Sequence, residues 1–181
     1  MKVLVISDIH GLKTNLELIK EKFFELKCDE LIVLGDLYYN YGRTNQKDFD
    51  PTYVRNFLDS FSDKLICIKG NCDEGIDIHN EPINIISGYF STKINSTLVY
   101  LTHGHIYNKN NFPHENSILI FGHTHVAEIT KIGTNIFINP GSISLPLGKK
   151  PASYMIIDND EYTIVDINDC IIDQIKIPSS K

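Results

Sequence analysis

Three apolar runs in the first seventy residues, Val3-Leu4-Val5-Ile6, Leu31-Ile32-Val33-Leu34 and Leu65-Ile66-Cys67-Ile68, show no alternation with polar residues. Uninterrupted runs of this length predict strands buried on both faces of a parallel sheet. Between the first two, Leu16, Ile19, Phe23 and Leu26 recur at spacings of three and four. That period predicts a helix of about three turns, with Thr14 or Asn15 as its cap. Pro51, preceded by Asp50 as a cap, opens a second helix that turns Val54, Phe57, Leu58 and Phe61 inward. Tyr38 to Pro51 has neither period and reads as a loop. The order is β-α-β-α-β, with polar residues at the C-terminal end of each strand, the edge where doubly wound sheets build their sites. After about residue 80 the pattern changes to short strands near 83–87, 89–94, 97–102, 117–121, 126–131, 134–138, 152–158, 161–167 and 170–177. Gly88, Asn95-Ser96, Gly133-Thr134 and Asn159-Asp160 supply turns, and the succession predicts a second sheet packed on the first. No repeat or Pro/Gly/Ser linker divides the chain, so a single α/β domain over residues 1–181 is expected, with two sheets inside and helices outside.

Composition narrows the classes. A chain of 181 residues can bury a sizeable core. Its 17 Lys+Arg against 23 Asp+Glu, a net charge of −6 without a basic run, argue against stable nucleic-acid binding. On charge alone, polyanionic substrates are disfavoured as well. The apolar runs fall far short of the ~20 residues of a membrane span, and the first residues lack a signal peptide's apolar core and cleavage site. No membrane partner and a cytoplasmic location are expected. Cys28, Cys67, Cys72 and Cys170 form no C-x-x-C pair and read as free thiols, all but Cys72 as core or edge filler.

The histidines redirect this picture. Five of the seven, His10, His103, His105, His123 and His125, stand directly after predicted strands, whereas His79 and His114 read as solvated loop residues. The strand exits in order are Asp8-Ile9-His10, Gly35-Asp36, Gly70-Asn71-Cys72-Asp73, Thr102-His103-Gly104-His105 and Gly122-His123-Thr124-His125. Each brings a carboxylate, an amide oxygen or an imidazole, the mixed O and N donors of Mn, Fe or Zn sites. More donors gather than one ion takes, and they suit two, which one carboxylate can bridge at about 3.5–4 Å. For any one histidine a structural role is the better bet, and Asp8 or Asp36 alone could be turn residues. The ordered set reverses those odds.

The blocks D-x-H, GD, GN-x-D, THGH and GHTH, together with Asn139-Pro140-Gly141-Ser142 and Pro151-Ala152-Ser153-Tyr154, resemble the calcineurin-like metallophosphoesterase superfamily, in particular its small single-domain bacterial phosphodiesterase branch. The resemblance covers nearly the whole chain. It implies an α/β four-layer sandwich of two mixed β-sheets with helices outside. It also implies a metal-dependent phosphodiesterase in which Asp8, His10 and His125 hold one divalent ion, Asn71, His103 and His123 hold another, and Asp36 bridges them. A water or hydroxide shared by the metals would be the nucleophile. Mn2+ is the expected ion, with Fe, Ni or Zn as alternatives. Two divalent ions would also create a cationic spot on an acidic chain, which restores a small phosphodiester as the substrate.

Cys72 departs from larger superfamily members, which carry His there to assist the leaving oxygen; a thiol with a pKa near ~8.5 is a weaker donor. Activated diesters are therefore expected as substrates, with Cys72 and His105 as candidate catalytic and substrate-binding residues. Arg43, in a tyrosine-rich loop after Asp36, is a candidate fork for phosphate oxygens. Two other classes compete: a scaffold like the related eukaryotic retromer subunit, which an eroded ligand set would mark, and a metallo-β-lactamase-like hydrolase, which would need an H-x-H-x-D-H run that is absent. Whether the chain forms a homo-oligomer is left open.

Overall fold

A computed structural model describes residues 1–39, 42, 46–76 and 80–178. In chain order its elements are β1 (Lys2–Ile6), α1 (Leu16–Glu25), β2 (Glu30–Val33), α2 (Pro51–Asp59), β3 (Leu65–Ile68), β4 (Ile85–Ile86), β5 (Tyr89–Ile94), β6 (Thr97–Thr102), β7 (Ile118–Phe121), β8 (Glu128–Ile132), β9 (Asn135–Asn139), β10 (Ser153–Asp158), β11 (Glu161–Asp166) and β12 (Ile171–Lys176). A seven-stranded sheet runs β12-β11-β10-β1-β2-β3-β4 and a five-stranded sheet runs β5-β6-β7-β9-β8. Both are mixed.

The unbroken apolar runs are explained by burial on two sides. Leu4, Ile6, Leu31 and Val33 point into a core closed by Leu16, Ile19, Phe23, Val54, Phe57 and Leu58 of the two helices. Their alternate neighbours Val3, Val5, Ile32 and Leu34 meet Val99, Leu101, Ile118, Ile120 and Ile138 of the smaller sheet. Asp50 caps α2 as expected, accepting the Tyr53 N–H at 2.9 Å. Asn15 occupies the cap position of α1 in a left-handed conformation, but its side chain reaches across the fold to the Ile143 carbonyl at 2.8 Å.

One expectation needs revision. The strands after residue 80 do not all belong to the second sheet: β4, β10, β11 and β12 extend the first. β1 is buried on both faces and needs a ladder on both edges. β10 supplies the second, antiparallel, with Lys2 opposite Asp158 and Val5 opposite Met155. The two mixed sheets match the expected fold class, and helices α1 and α2 pack on the outer face of the larger one. On the outer face of the smaller sheet Leu119, Phe121 and Phe137 pack with Phe112 of the 103–117 connection.

Parallel pairing sets up the functional edge. β1, β2 and β3 run side by side in one direction, as do β6 and β7 in the other sheet. Their C-terminal ends release the Asp8, Asp36, Asn71, His103 and His123 loops, and these meet where the two sheets face each other. Among the described residues no helix is long and apolar enough to cross a membrane.

Candidate metal centre

The site loops share an unusual backbone. Asp8, His10, Asp36, His123 and His125 all have positive φ, between 54° and 67°. Side-chain-bearing residues pay for this conformation, and outside turns it gathers at functional sites. Here tertiary hydrogen bonds hold it. Asp8 N–H donates to Gly35 O at 3.1 Å and His10 N–H to Asp36 O at 2.7 Å, which zips the first two exits together. The His123 N–H donates to Asp8 Oδ2 at 3.1 Å and ties the third loop to the first. Two glycines permit the approach: a Cβ on Gly70 would collide with the Asp36 carboxylate, and one on Gly122 with the Ser7 hydroxyl.

Three imidazoles are aimed by main-chain carbonyls. Nδ1–H of His10 donates to Tyr39 O at 2.7 Å, that of His103 to Leu34 O at 2.7 Å and that of His125 to Leu145 O at 2.6 Å. A carbonyl only accepts, so each Nδ1 carries its proton toward the main chain and Nε2 is the ring atom turned into the site. The Nε2 atoms of His10 and His125 stand 3.1 Å apart. Asp8 Oδ1 lies 3.4 Å from the His125 Nε2, and Asp36 Oδ2 lies 3.5 Å from the His10 Nε2. Ligand atoms of these four residues fall within 4.8 Å of one another, a group that could hold a metal ion.

Asp36 faces two ways. While Oδ2 looks toward His10, Oδ1 lies 3.4 Å from the His103 Nε2, which is itself 3.0 Å from Asn71 Oδ1. The His123 ring packs edge-on against His103 at 5.1 Å between centroids, and His105 flanks His103 at 5.4 Å. His123 and His105 are exposed, whereas Asp8, His10, Asp36, His103 and His125 are buried.

The donor set fits divalent ions on its own chemistry. Asp8 Oδ1 is fully buried and has no hydrogen-bond partner among the described residues. A buried carboxylate oxygen left unpaired is costly, and so are two lone pairs held face to face. A cation between them would relieve both. Without one, the pairs that remain are electrostatic. Burial opposes charge on both Asp36 and His103, but their mutual contact outweighs it, holding the Asp36 carboxyl well below its ordinary range and lifting His103 to about 9. Burial lowers His10 despite the Tyr39 carbonyl and the two aspartates. Burial followed by repulsion from His103 lowers both His105 and His123.

Supporting residues complete the centre; the sequence reading quoted them within motifs but gave them no role. Asp73 is buried and accepts the N–H groups of Asp36 at 2.9 Å, Leu37 at 2.8 Å and Gly70 at 2.8 Å, so one carboxylate shapes both the second and third exits. Asn139 donates to Gly122 O and Thr124 Oγ1, and the Ser142 hydroxyl donates to Asp8 O. The GN-C-D block carried the signal for Asp73; Asn139 ends β9 and Ser142 lies just beyond it, both in the Asn139-Pro140-Gly141-Ser142 block.

Several candidates sit differently from expectation. Cys72 is only 1% exposed and lies against Asn71, and its backbone N–H donates to Asp36 Oδ1 at 2.8 Å. That placement also sets the thiol beside the Asp36 carboxylate, to which it hydrogen-bonds. His114 stacks on Tyr100 with 4.6 Å between ring centroids, so it is not simply solvated. Cys28 and Cys67 are buried free thiols as anticipated, but Cys170 is exposed. Arg43 and His79 lie outside the described residues.

Imidazoles and carboxylates from four strand exits, gathered around Asp8 and Asp36, form a candidate metal centre of the kind metallohydrolases carry. Comparison with known proteins gives the family. Residues 1–162 match the calcineurin-like phosphoesterase superfamily domain, and the chain belongs to that superfamily. It is 34% identical to the Escherichia coli phosphodiesterase YfcE over 98% of both chains. The solved structure of that phosphoesterase superposes with a TM-score of 0.91 at 32% identity, covering 98% of this chain and all of the other. The Bacillus subtilis probable metallophosphoesterase YsnB is 30% identical over 91% of this chain and 89% of its own. Vps29 of Entamoeba histolytica, solved in complex with zinc, shares the fold at a TM-score of 0.63 and 21% identity, covering 97% of this chain and 99% of its own.

Proposed function

We propose that this chain, acting as one domain over residues 1–181, is a metal-dependent phosphodiesterase of small diesters. The reading rests on the two-sided Asp36, whose oxygens address two separate sets of buried donors. Asp8, His10 and His125 are assigned to one divalent ion, Asn71, His103 and His123 to the other, and Asp36 to both. Bound there, such ions supply the Lewis acidity that activates water and neutralises phosphoryl charge at neutral pH. Mn2+ is the proposed metal, with Fe, Ni or Zn as alternatives, and the cytoplasm the proposed location.

The protein's own part is orientation. Main-chain carbonyls fix the tautomer and aim of three rings, which removes the cost of ordering them when the ions are taken up. Asp73 holds the Asp36 loop from behind. His105, exposed beside His103 and His123, is assigned to hydrogen-bond an ester oxygen from the open side. Of the two groups expected to assist the leaving oxygen, His105 is thus the better placed. A scaffold without turnover is disfavoured because every ligand position carries a metal-binding residue type. Asp36→Asn tests the reading: Mn2+-dependent hydrolysis of bis(p-nitrophenyl) phosphate should disappear, and turnover equal to the parent's would refute the proposed centre.

A further inference from the structure

The metal centre has two unlike flanks. On one side stand Asn71, His103 and His105, all polar. On the other, a cavity of about 610 Å³ opens against His123 and His125 and is walled by Leu145, Pro146 and Leu147. That volume is in the range of small-molecule sites, which pair an apolar wall with a few fixed polar groups.

The wall is tied to the chemistry through the backbone. Leu145 O accepts the His125 Nδ1–H at 2.6 Å, and the Leu147 N–H donates to His125 O at 3.1 Å. The Ser142 hydroxyl, which donates to Asp8 O at 2.8 Å, accepts the Leu145 N–H at 2.7 Å. The same short segment therefore aims a candidate metal ligand and fixes the position of the apolar side chains beside it. Leu145 and Pro146 are half-buried, but Leu147 is 57% exposed at the cavity mouth, where it serves no core. A phosphodiester carries two substituents on one phosphorus. With phosphorus at the metal centre, one of them must lie over a flank, and this flank offers hydrophobic contact from three side chains beside the His123 and His125 imidazoles.

We propose that Leu145, Pro146 and Leu147 form the subsite for one ester group of the substrate and select phosphodiesters bearing an aromatic or similarly apolar group over small alkyl esters. This rests on the phosphodiesterase reading and adds the substrate class to it.

Two diesters with one leaving group, phenyl p-nitrophenyl phosphate and methyl p-nitrophenyl phosphate, hold the bond broken constant. With Mn2+-loaded protein, kcat/KM should favour the phenyl ester by roughly tenfold, the scale of burying part of a ring on an apolar surface. Leu147→Ser, exposed enough not to disturb folding, should cut that ratio to about threefold or less. Calorimetric titration of Zn2+-loaded protein should show the same preference for phenylphosphonate over methylphosphonate, and the same loss in the variant. Equal ratios in parent and variant, or a ratio near one in the parent with both esters hydrolysed, would overturn the subsite alone. Turnover of neither ester would instead overturn the phosphodiesterase reading and the subsite with it.

Discussion

The two halves of the candidate metal centre are built to different degrees of closure. Around Asp8, His10 and His125 every side chain is buried, both rings are held by main-chain carbonyls, and an unpaired carboxylate oxygen faces the middle. Around Asn71, His103 and His123 only His103 is buried and anchored, His123 is exposed, and His105 stands at the rim. A closed, pre-aimed donor set gives affinity because little is ordered on binding, whereas an open one leaves room for a ligand from solution. The buried half therefore reads as the retaining side and the open half as the side that meets substrate. Asp36 couples them, and its carboxylate is held by groups from both the Cys72 and His103 loops.

Removing the coupling should do the most damage. In Asp36→Asn one oxygen becomes an amide that cannot serve two cations, and kcat/KM should fall by roughly a thousandfold or more, the scale of losing metal-supplied catalysis. Substitutions confined to one half then separate the two. His125→Ala should lose most metal from the closed half and about a hundredfold in activity, in line with the loss of a ligand or its support. His123→Ala should retain metal in the closed half and lose activity mainly by weakening the open one. Metal content after gel filtration, with kinetics at rising Mn2+, checks this: excess metal should recover His123→Ala further than His125→Ala, and equal recovery would erase the distinction between halves.

How much of this was legible in the sequence follows from the kind of signal each feature leaves. Runs such as Val3-Leu4-Val5-Ile6 announce strands buried on both faces, and Pro51 after Asp50 announces a capped helix, because local sterics and burial act on neighbouring residues. The sheet membership of β10 to β12 left no such mark. A meander of short strands suits either sheet, and only the open edge of β1 decides. Among site residues, His- and Asp-rich strand exits were visible because donors of one chemistry repeat at equivalent places. Asp73 was read as part of a motif without a role, since its work is done on backbone N–H groups, which have no sequence signature. The inward turn of the Cys72 thiol and the left-handed backbone at Asp8, His10, Asp36, His123 and His125 are products of tertiary packing. The Leu145-Pro146-Leu147 wall lacked any period and had no meaning until His125 was placed beside it.

Smaller effects should come from groups that support both halves without facing either ion. Asp73→Asn keeps one acceptor oxygen but replaces the other with a donor, set against N–H groups at 2.8–2.9 Å. Lost hydrogen bonds and a mismatched donor should cost about 1–3 kcal/mol of stability. Activity should drop by roughly tenfold or more, as when metal-supporting groups are changed. Metal affinity should weaken together with kcat, because the Asp36 loop itself shifts. A fall in thermal stability with unchanged metal affinity would reduce Asp73 to a fold residue and leave the coupling of the halves to Asp36 alone.

The smallest effect is expected at Cys72, and it discriminates between two roles for that residue. Its backbone N–H holds Asp36 Oδ1 at 2.8 Å, and any replacement keeps that bond. The thiol is buried against Asn71, so Cys72→Ser changes a sulfur for a smaller oxygen at a position closed to solvent. Activity on activated aryl diesters should stay within about threefold, since a near-isosteric change at a buried site rarely costs more than about 1 kcal/mol. A proton donor acting on the leaving oxygen would behave differently. Its loss should steepen the dependence of kcat on leaving-group pKa, with poor leaving groups suffering most. Measured across a series of substituted phenyl esters, parallel slopes for the parent and Cys72→Ser place the thiol in the supporting shell of the open half. A steeper slope in the variant would move it to the reacting face and make the open half the seat of acid catalysis as well as of substrate access.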